Sequence, residues 1–201
     1  REHGFDRLDT TRWRRCGPWW LQFNPLRSFR PPRMSHTVVD SAFEPFDDKG
    51  FHFNKAFLRD EILWQGEITG TPVRLLYNKF PFAELHGLLV PAPAQCRPQC
   101  LRRSDLDEIW QITEWLGMRL PGVGFGYNSY GAYASVNHMH FQMYCRGDGI
   151  YPVERPGWTH NGGQTRYPAV VATFDGVAAL WGKYRVRGDF CAEMYAAIRH
   201  D

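Results

Sequence analysis

The stretch Tyr127-Asn128-Ser129-Tyr130-Gly131-Ala132-Tyr133-Ala134-Ser135-Val136-Asn137-His138-Met139-His140-Phe141-Gln142 decides how this sequence is read. At its end Met139, Phe141 and Met143 alternate with His138, His140, Gln142 and Tyr144. An extended chain sends successive side chains to opposite faces, so the alternation predicts a strand with one apolar and one polar face. His138, His140 and Gln142 then stand in a row at about 6–7 Å per step. A neutral imidazole is a competent nucleophile near neutral pH, and an amide holds a phosphoryl oxygen without acting as acid or base. Taken alone, the histidines fit a metal site or the solvent face of a strand as well. The small residues upstream let backbone N–H groups approach an anion, and Ser135 adds a hydroxyl donor.

Outward from this stretch, residues 125–128 read as a strand and 104–120 as the clearest helix. Ser104 stands at its capping position, Asp105 and Asp107 suit its positive end, and Ile109, Ile112, Leu116 and Leu120 share one face. Residues 73–77 and 87–90 are apolar strand candidates, the second closed by Pro91 and Pro93. Further candidates are 51–57, 61–65 and 169–174, with 146–168 a long Gly- and Pro-rich loop and 175–200 mostly helical. Residues 1–36 read as an irregular arm with a short strand near 20–23, and 37–201 as the catalytic domain. The fold class expected is α+β, an antiparallel sheet flanked by helices.

The 201 residues are 43% hydrophobic and 22% charged, enough for a core and against global disorder. A net charge of +3 is too mild for a nucleic-acid or membrane surface. No run of 18 apolar residues and no signal peptide is present, and the sequence starts at Arg1 rather than Met. Five cysteines, an odd count, read as reduced thiols of a cytoplasmic protein; Cys96 and Cys100 lack a matching pair at zinc-site spacing.

A second informative segment is Tyr77-Asn78-Lys79-Phe80-Pro81-Phe82-Ala83-Glu84-Leu85-His86-Gly87-Leu88-Leu89-Val90-Pro91. An amide at a strand end suits a vicinal diol, and Phe80 can flank a base or belong to the core. Together the two segments resemble the histidine-triad superfamily, in which an Asn, a Gly-containing turn and a Ser-Val pair precede a His-x-His-x-His or His-x-His-x-Gln strand. Asn128, Ser135, His138, His140 and Gln142 match that pattern, and Asn78 and His86 match its ribose-binding region. The resemblance implies that His140 is the nucleophile and His138 orients it. By the same match Ser135 and Gln142 hold the phosphate, and Asn78 pairs with the ribose.

Gln142 in place of a third histidine is similar to the transferase and phosphorylase branch. Val38-Val39-Asp40, Glu44-Pro45-Phe46-Asp47-Asp48-Lys49, Phe51-His52-Phe53-Asn54-Lys55 and Glu61-Ile62-Leu63-Trp64 resemble the entry region of GDP-hexose phosphorylases. Tyr151-Pro152-Val153-Glu154 and Tyr167-Pro168-Ala169-Val170 match their later segments, so the resemblance covers about residues 36–180. Those enzymes continue with a strand-rich segment after their final helix, beyond the Asp201 at which this sequence ends. The resemblance implies phosphorolysis of a GDP-hexose through a nucleotidyl-histidine, with a nucleotide sugar and inorganic phosphate as partners. It calls for no nucleic acid, no membrane, no metal and no organic cofactor. Dinucleoside-polyphosphate phosphorolysis or nucleotide-sugar transfer on the same strand, and a nucleotide-binding regulatory module without turnover, are the alternatives.

Overall fold

A computed structural model describes residues 9–29, 43–83, 85–131, 134–186 and 196–199. Val38-Val39-Asp40, Glu84, Ala132 and Tyr133 from the sequence reading lie outside the described residues. The chain is α+β, as expected. Strands β3 (Ile62–Ile68), β4 (Thr71–Tyr77), β5 (Gly87–Pro91), β6 (Val123–Tyr127), β7 (Phe141–Cys145) and β8 (Ala196–Arg199) form one sheet in the order β3-β4-β5-β7-β6-β8. Every pairing in it is antiparallel. β7 lies between β5 and β6, and Gln142 is opposite both Leu88 and Gly126.

Period-two alternation separates the two faces. Val73, Leu89, Phe125, Phe141 and Met143 join Leu106, Ile109 and Ile112 of α1 (Arg103–Gly117) in the main core. Leu76 and Val90, of opposite parity on β4 and β5, join Phe53 and Leu58 in a second cluster. The sheet therefore has a helix face and a face left for the polar residues of β7. Among the described residues no helix is long and apolar enough to cross a membrane.

α1 is capped differently from the sequence reading. Its N-cap is Arg102, whose backbone N–H donates to the Asp105 carboxylate at 2.8 Å, and Ser104 lies inside the helix. Asp105, fully buried, also takes Arg97 at 2.5 Å and Arg102 Nη2 at 3.0 Å, while Glu108 takes the other Arg97 nitrogen at 2.6 Å. A single carboxylate thus caps the helix and neutralises the arginine of the segment before it.

Other elements also differ from expectation. The strand expected near 20–23 is β2 (Trp19–Phe23), but it pairs in a hairpin with an unexpected β1 (Arg12–Cys16), turning at Gly17 with φ 58°. All five β1 residues are exposed, so no apolar alternation announced the strand. Gln22, Asn24 and Arg27 donate to the carbonyls of Phe82, Pro81 and Phe80, at 2.6, 2.9 and 3.3 Å. Residues 51–57 are not a strand. The Phe53 N–H goes to His138 Nδ1 and its carbonyl accepts from Arg74, the Lys55 N–H goes to the His52 carbonyl, and the 3₁₀ helix Ala56–Glu61 takes up the end of the segment. Residues 169–174 form no strand either, and Val170 is 94% exposed. Of 175–200, α2 covers Val177–Val186, whereas Ala196–Arg199 is strand β8 on the edge of β6.

Asp105→Ala is expected to cost about 3–5 kcal/mol, because it removes the cap and leaves the buried Arg97 with one carboxylate. Urea unfolding at pH 7 measures it. A loss under about 1 kcal/mol would mean that the cluster behaves like a solvated surface pair.

Candidate functional site

β7 begins at Phe141, so the two histidines expected within it precede it, with His138 at a bend. Their backbone has other partners. The Met139 N–H donates to the Arg97 carbonyl at 2.7 Å. The Gln99 side chain accepts the His140 N–H at 2.8 Å and donates to the His140 carbonyl at 3.0 Å. The side chains keep the alternation nonetheless, with Met139 and Phe141 in the helix-face core and both histidine rings against Phe53.

Hydrogen bonding fixes the tautomers. A carbonyl only accepts, so the 2.7 Å contact between His140 Nδ1 and the His138 carbonyl places the ring proton on Nδ1. His140 Nε2 is left with its lone pair. His138 Nδ1 accepts the Phe53 N–H at 3.2 Å, which puts that ring's proton on Nε2, toward the Pro93 carbonyl. Phe53 stacks on His138 at 5.7 Å and meets His140 edge-on at 5.0 Å. Phe46 and His52 complete the wall, 5.3 and 6.1 Å from His138.

Gln142, further along the same face, belongs to a network. Its Nε2 donates to Asn128 Oδ1 at 2.5 Å, and its Oε1 accepts from Tyr144 at 2.7 Å and from His86 Nε2 at 3.2 Å. One amide hydrogen remains for an outside acceptor. His86 is buried between Phe82 and Tyr144, with Nδ1 accepting the Phe82 N–H at 3.3 Å. Asn78 Nδ2 lies 2.9 Å from His86 Nε2, but both nitrogens carry hydrogen when Nε2 donates to Gln142, so this is a contact and not a hydrogen bond; Asn78 Oδ1 accepts the Phe80 N–H at 3.0 Å. The structure thus brings Asn78, His86, Gln142 and Asn128 into one chain of contacts. Phe80 is half-buried on the loop gripped by the arm, and Ser135 is exposed.

Burial sets the charge state. Desolvation lowers the pKa of His86, His138 and His140 to about 4. The neighbouring His140 and His52 push His138 further down, whereas the His138 carbonyl opposes the shift at His140. The site is a row of neutral imidazoles. Among the described residues no three His, Cys, Asp or Glu side chains are grouped to hold a metal.

Sequence reading missed Gln99 and Phe53 as parts of this site. Gln99 lies 41 residues from His140, and nothing local marks a glutamine that substitutes for a strand partner. Phe53 stood in a motif matched for the entry region, and its ring is what covers both histidines.

The family described as GDPGP1-like, N-terminal domain, matches residues 18–144. GDP-D-glucose phosphorylase 1 of Danio rerio is 34% identical over 123 residues, 61% of this chain and 35% of the relative. GDP-L-galactose phosphorylase 2 of Arabidopsis thaliana is 30% identical over 125 residues, 53% of this chain and 28% of the relative. GDP-D-glucose phosphorylase 1 of Homo sapiens is 33% identical over 123 residues, 57% and 30% of the two chains. The chain spans about a third of the length of these curated relatives. No solved structure matches it.

The three lowered pKa values carry a sign. The folded rings stay neutral down to about pH 4, whereas an unfolded chain protonates them as pH falls through 6.5. Their contribution to stability is therefore whole above pH 6.5 and lost as pH falls toward 4. Ring NMR signals of His86, His138 and His140 are expected to stay at neutral positions from pH 8 to pH 5. A midpoint near 6.5 at any of them would show that ring to be solvated.

Proposed function

We propose that this chain, which belongs to the GDPGP1-like N-terminal domain family, forms a site for nucleotidyl transfer through a nucleotidyl-histidine. The proposed reaction is phosphorolysis of a GDP-hexose to GDP and hexose 1-phosphate. The observation that carries this reading is the His140 tautomer: Nδ1–H is held by the His138 carbonyl, and Nε2 keeps its lone pair in a neutral, buried ring. A nucleophile of that kind needs no deprotonation before it attacks. The relatives from Danio rerio, Arabidopsis thaliana and Homo sapiens are named as GDP-D-glucose or GDP-L-galactose phosphorylases, which supports the substrate class.

In this scheme His140 Nε2 forms a bond to the α-phosphorus, and the bond from that phosphorus to the bridging oxygen breaks. Hexose 1-phosphate leaves with the electron pair, as an anion that needs no added proton. Positive charge on the bonded imidazole is shared with the His138 carbonyl through Nδ1–H. A phosphate oxygen then attacks the same phosphorus, GDP forms, and His140 recovers its lone pair. The remaining Gln142 amide hydrogen, Ser135 and nearby backbone N–H groups are the donors for charge on the transferring group. His138 orients His140 through its carbonyl. Asn78 and Phe80 are the ribose and base contacts, Asn128 fixes the Gln142 amide, and His86 donates to Gln142 from behind. Cys16, Cys96, Cys100 and Cys145 are free thiols, which supports a reducing compartment such as the cytoplasm.

The test is incubation with GDP-D-glucose and GDP-L-galactose, with and without inorganic phosphate, followed by product identification. Expected are repeated turnover to GDP and hexose 1-phosphate only with phosphate, and, when phosphate is withheld, a guanylylated His140 with a single equivalent of hexose 1-phosphate and no GDP. His140→Ala should lower turnover by about 10³-fold or more while nucleotide still binds. GMP as the sole product would reassign the acceptor to water, and a near wild-type rate in the variant would remove His140 from the role.

Asn78→Ala should weaken GDP more than 2′-deoxy-GDP, by about 0.5–1.5 kcal/mol for one lost hydrogen bond. Equal weakening of both ligands, in parallel titrations, would make Asn78 a support for His86 and the Phe80 loop only.

A further inference from the structure

Gln99 is 2% exposed and uncharged, and its carboxamide is fully occupied by main chain. Oε1 accepts the His140 N–H at 2.8 Å, and Nε2 donates to the His140 carbonyl at 3.0 Å and the Asn128 carbonyl at 2.8 Å. Its own backbone is tied as tightly. The Gln99 N–H donates to Asn137 Oδ1 at 2.9 Å, and its carbonyl accepts the Tyr127 hydroxyl at 3.0 Å. The two residues it grips are the proposed nucleophile and the residue whose side chain holds Gln142.

We propose that Gln99 is a positioning residue for nucleotidyl transfer, setting the direction of His140 Nε2 and tying it to Gln142 through Asn128. The inference rests on the nucleotidyl-histidine reading above. The physical reason is the absence of a β-ladder at His140. A strand residue inherits its orientation from neighbouring strands, but the His140 peptide has one side-chain amide in their place. Because His140 Nδ1 is bonded to the carbonyl two residues earlier, any rotation of the peptide moves the ring. A displacement of about 1 Å at a reacting atom can cost about 10²-fold in rate.

Gln99→Met keeps the length and removes every polar contact; Gln99→Glu keeps the shape and the acceptor but removes both donors. The first readout uses the resting protein: ¹⁵N-histidine NMR, in which wild-type His140 shows the Nδ1–H tautomer. Both variants are expected to show mixed tautomers at pH 7.5. Gln99→Glu is expected to recover the wild-type signature toward pH 5, where a protonated carboxyl regains a donor while His140 remains neutral. The second readout is the single-turnover rate of His140 guanylylation by GDP-D-glucose, expected to fall by about 10²-fold in Gln99→Met with GDP affinity within about threefold. A variant that only loses thermal stability, with the tautomer and the single-turnover rate of its folded fraction unchanged, overturns the proposal. Should Gln99→Met not fold, the Gln99→Glu signature and its pH recovery decide. If wild-type protein forms no guanylyl-histidine, the nucleotidyl-transfer reading falls, and the tautomer comparison still says whether Gln99 orients His140.

Discussion

A buried peptide group must find hydrogen-bond partners, and the His140 peptide lies one residue beyond the point where the sheet supplies them. Everything around the site follows from how that debt is met. The Arg97–Gln99 segment runs beside Met139 and His140 as a substitute strand, offering one carbonyl and one side-chain amide. That segment is held by Arg97, whose guanidinium reaches Asp105, Glu108 and the Pro91 carbonyl. Asp105 in turn caps α1, and α1 fills the helix face of the sheet. The order imposed at the helix terminus is therefore transmitted, through contacts that each satisfy a buried polar group, to the ring of His140.

Burial and hydrogen bonding also act in concert on the chemistry. An imidazole in water spends part of its time protonated near neutral pH and exchanges tautomers freely. Here desolvation removes the first freedom and the carbonyls of His138 and Pro93 remove the second. Phe53 contributes to both, since its ring excludes water from the two histidines and its N–H selects the tautomer of His138. At the third polar position the amide of Gln142 cannot titrate, and its contacts with Asn128, Tyr144 and His86 hold it at one angle.

What could be read in the sequence was whatever has a short period. The alternation of Met139, Phe141 and Met143 with the histidines and Gln142 assigned faces correctly, because side-chain direction in an extended chain is local. Helix α1 was legible from Ile109 and Ile112 for the same reason. The boundaries were not legible: the pairing of β7 stops at Leu89–Phe141 on β5 and at Gly126–Gln142 on β6, although β5 itself runs on to Pro91, and that register involves other strands. Ser104 resembled a cap, but the carboxylate of Asp105 had two arginines to hold it in place. Strand β8 departs from the helical reading of 175–200 because a four-residue segment, Ala196–Arg199, owes its conformation to the edge of β6 rather than to its own composition. The Gln99 contacts span 29 and 41 residues, beyond any periodicity.

The grip of the arm on the Phe80–Phe82 loop has a consequence for how such a site can diversify. Gln22, Asn24 and Arg27 hold three consecutive main-chain carbonyls, and the Arg27 guanidinium also lies over the Phe82 ring at 5.2 Å. Every amino acid carries that carbonyl, so the residue at 80 can be exchanged by mutation without removing these hydrogen bonds, whereas Phe82 is also tied through its ring to Arg27 and His86. Position 80 is in this respect an interchangeable place on a fixed frame. If Phe80 makes the proposed base contact, ligand preference can drift there, one substitution at a time, while His138 and His140, ahead of β7, keep their geometry.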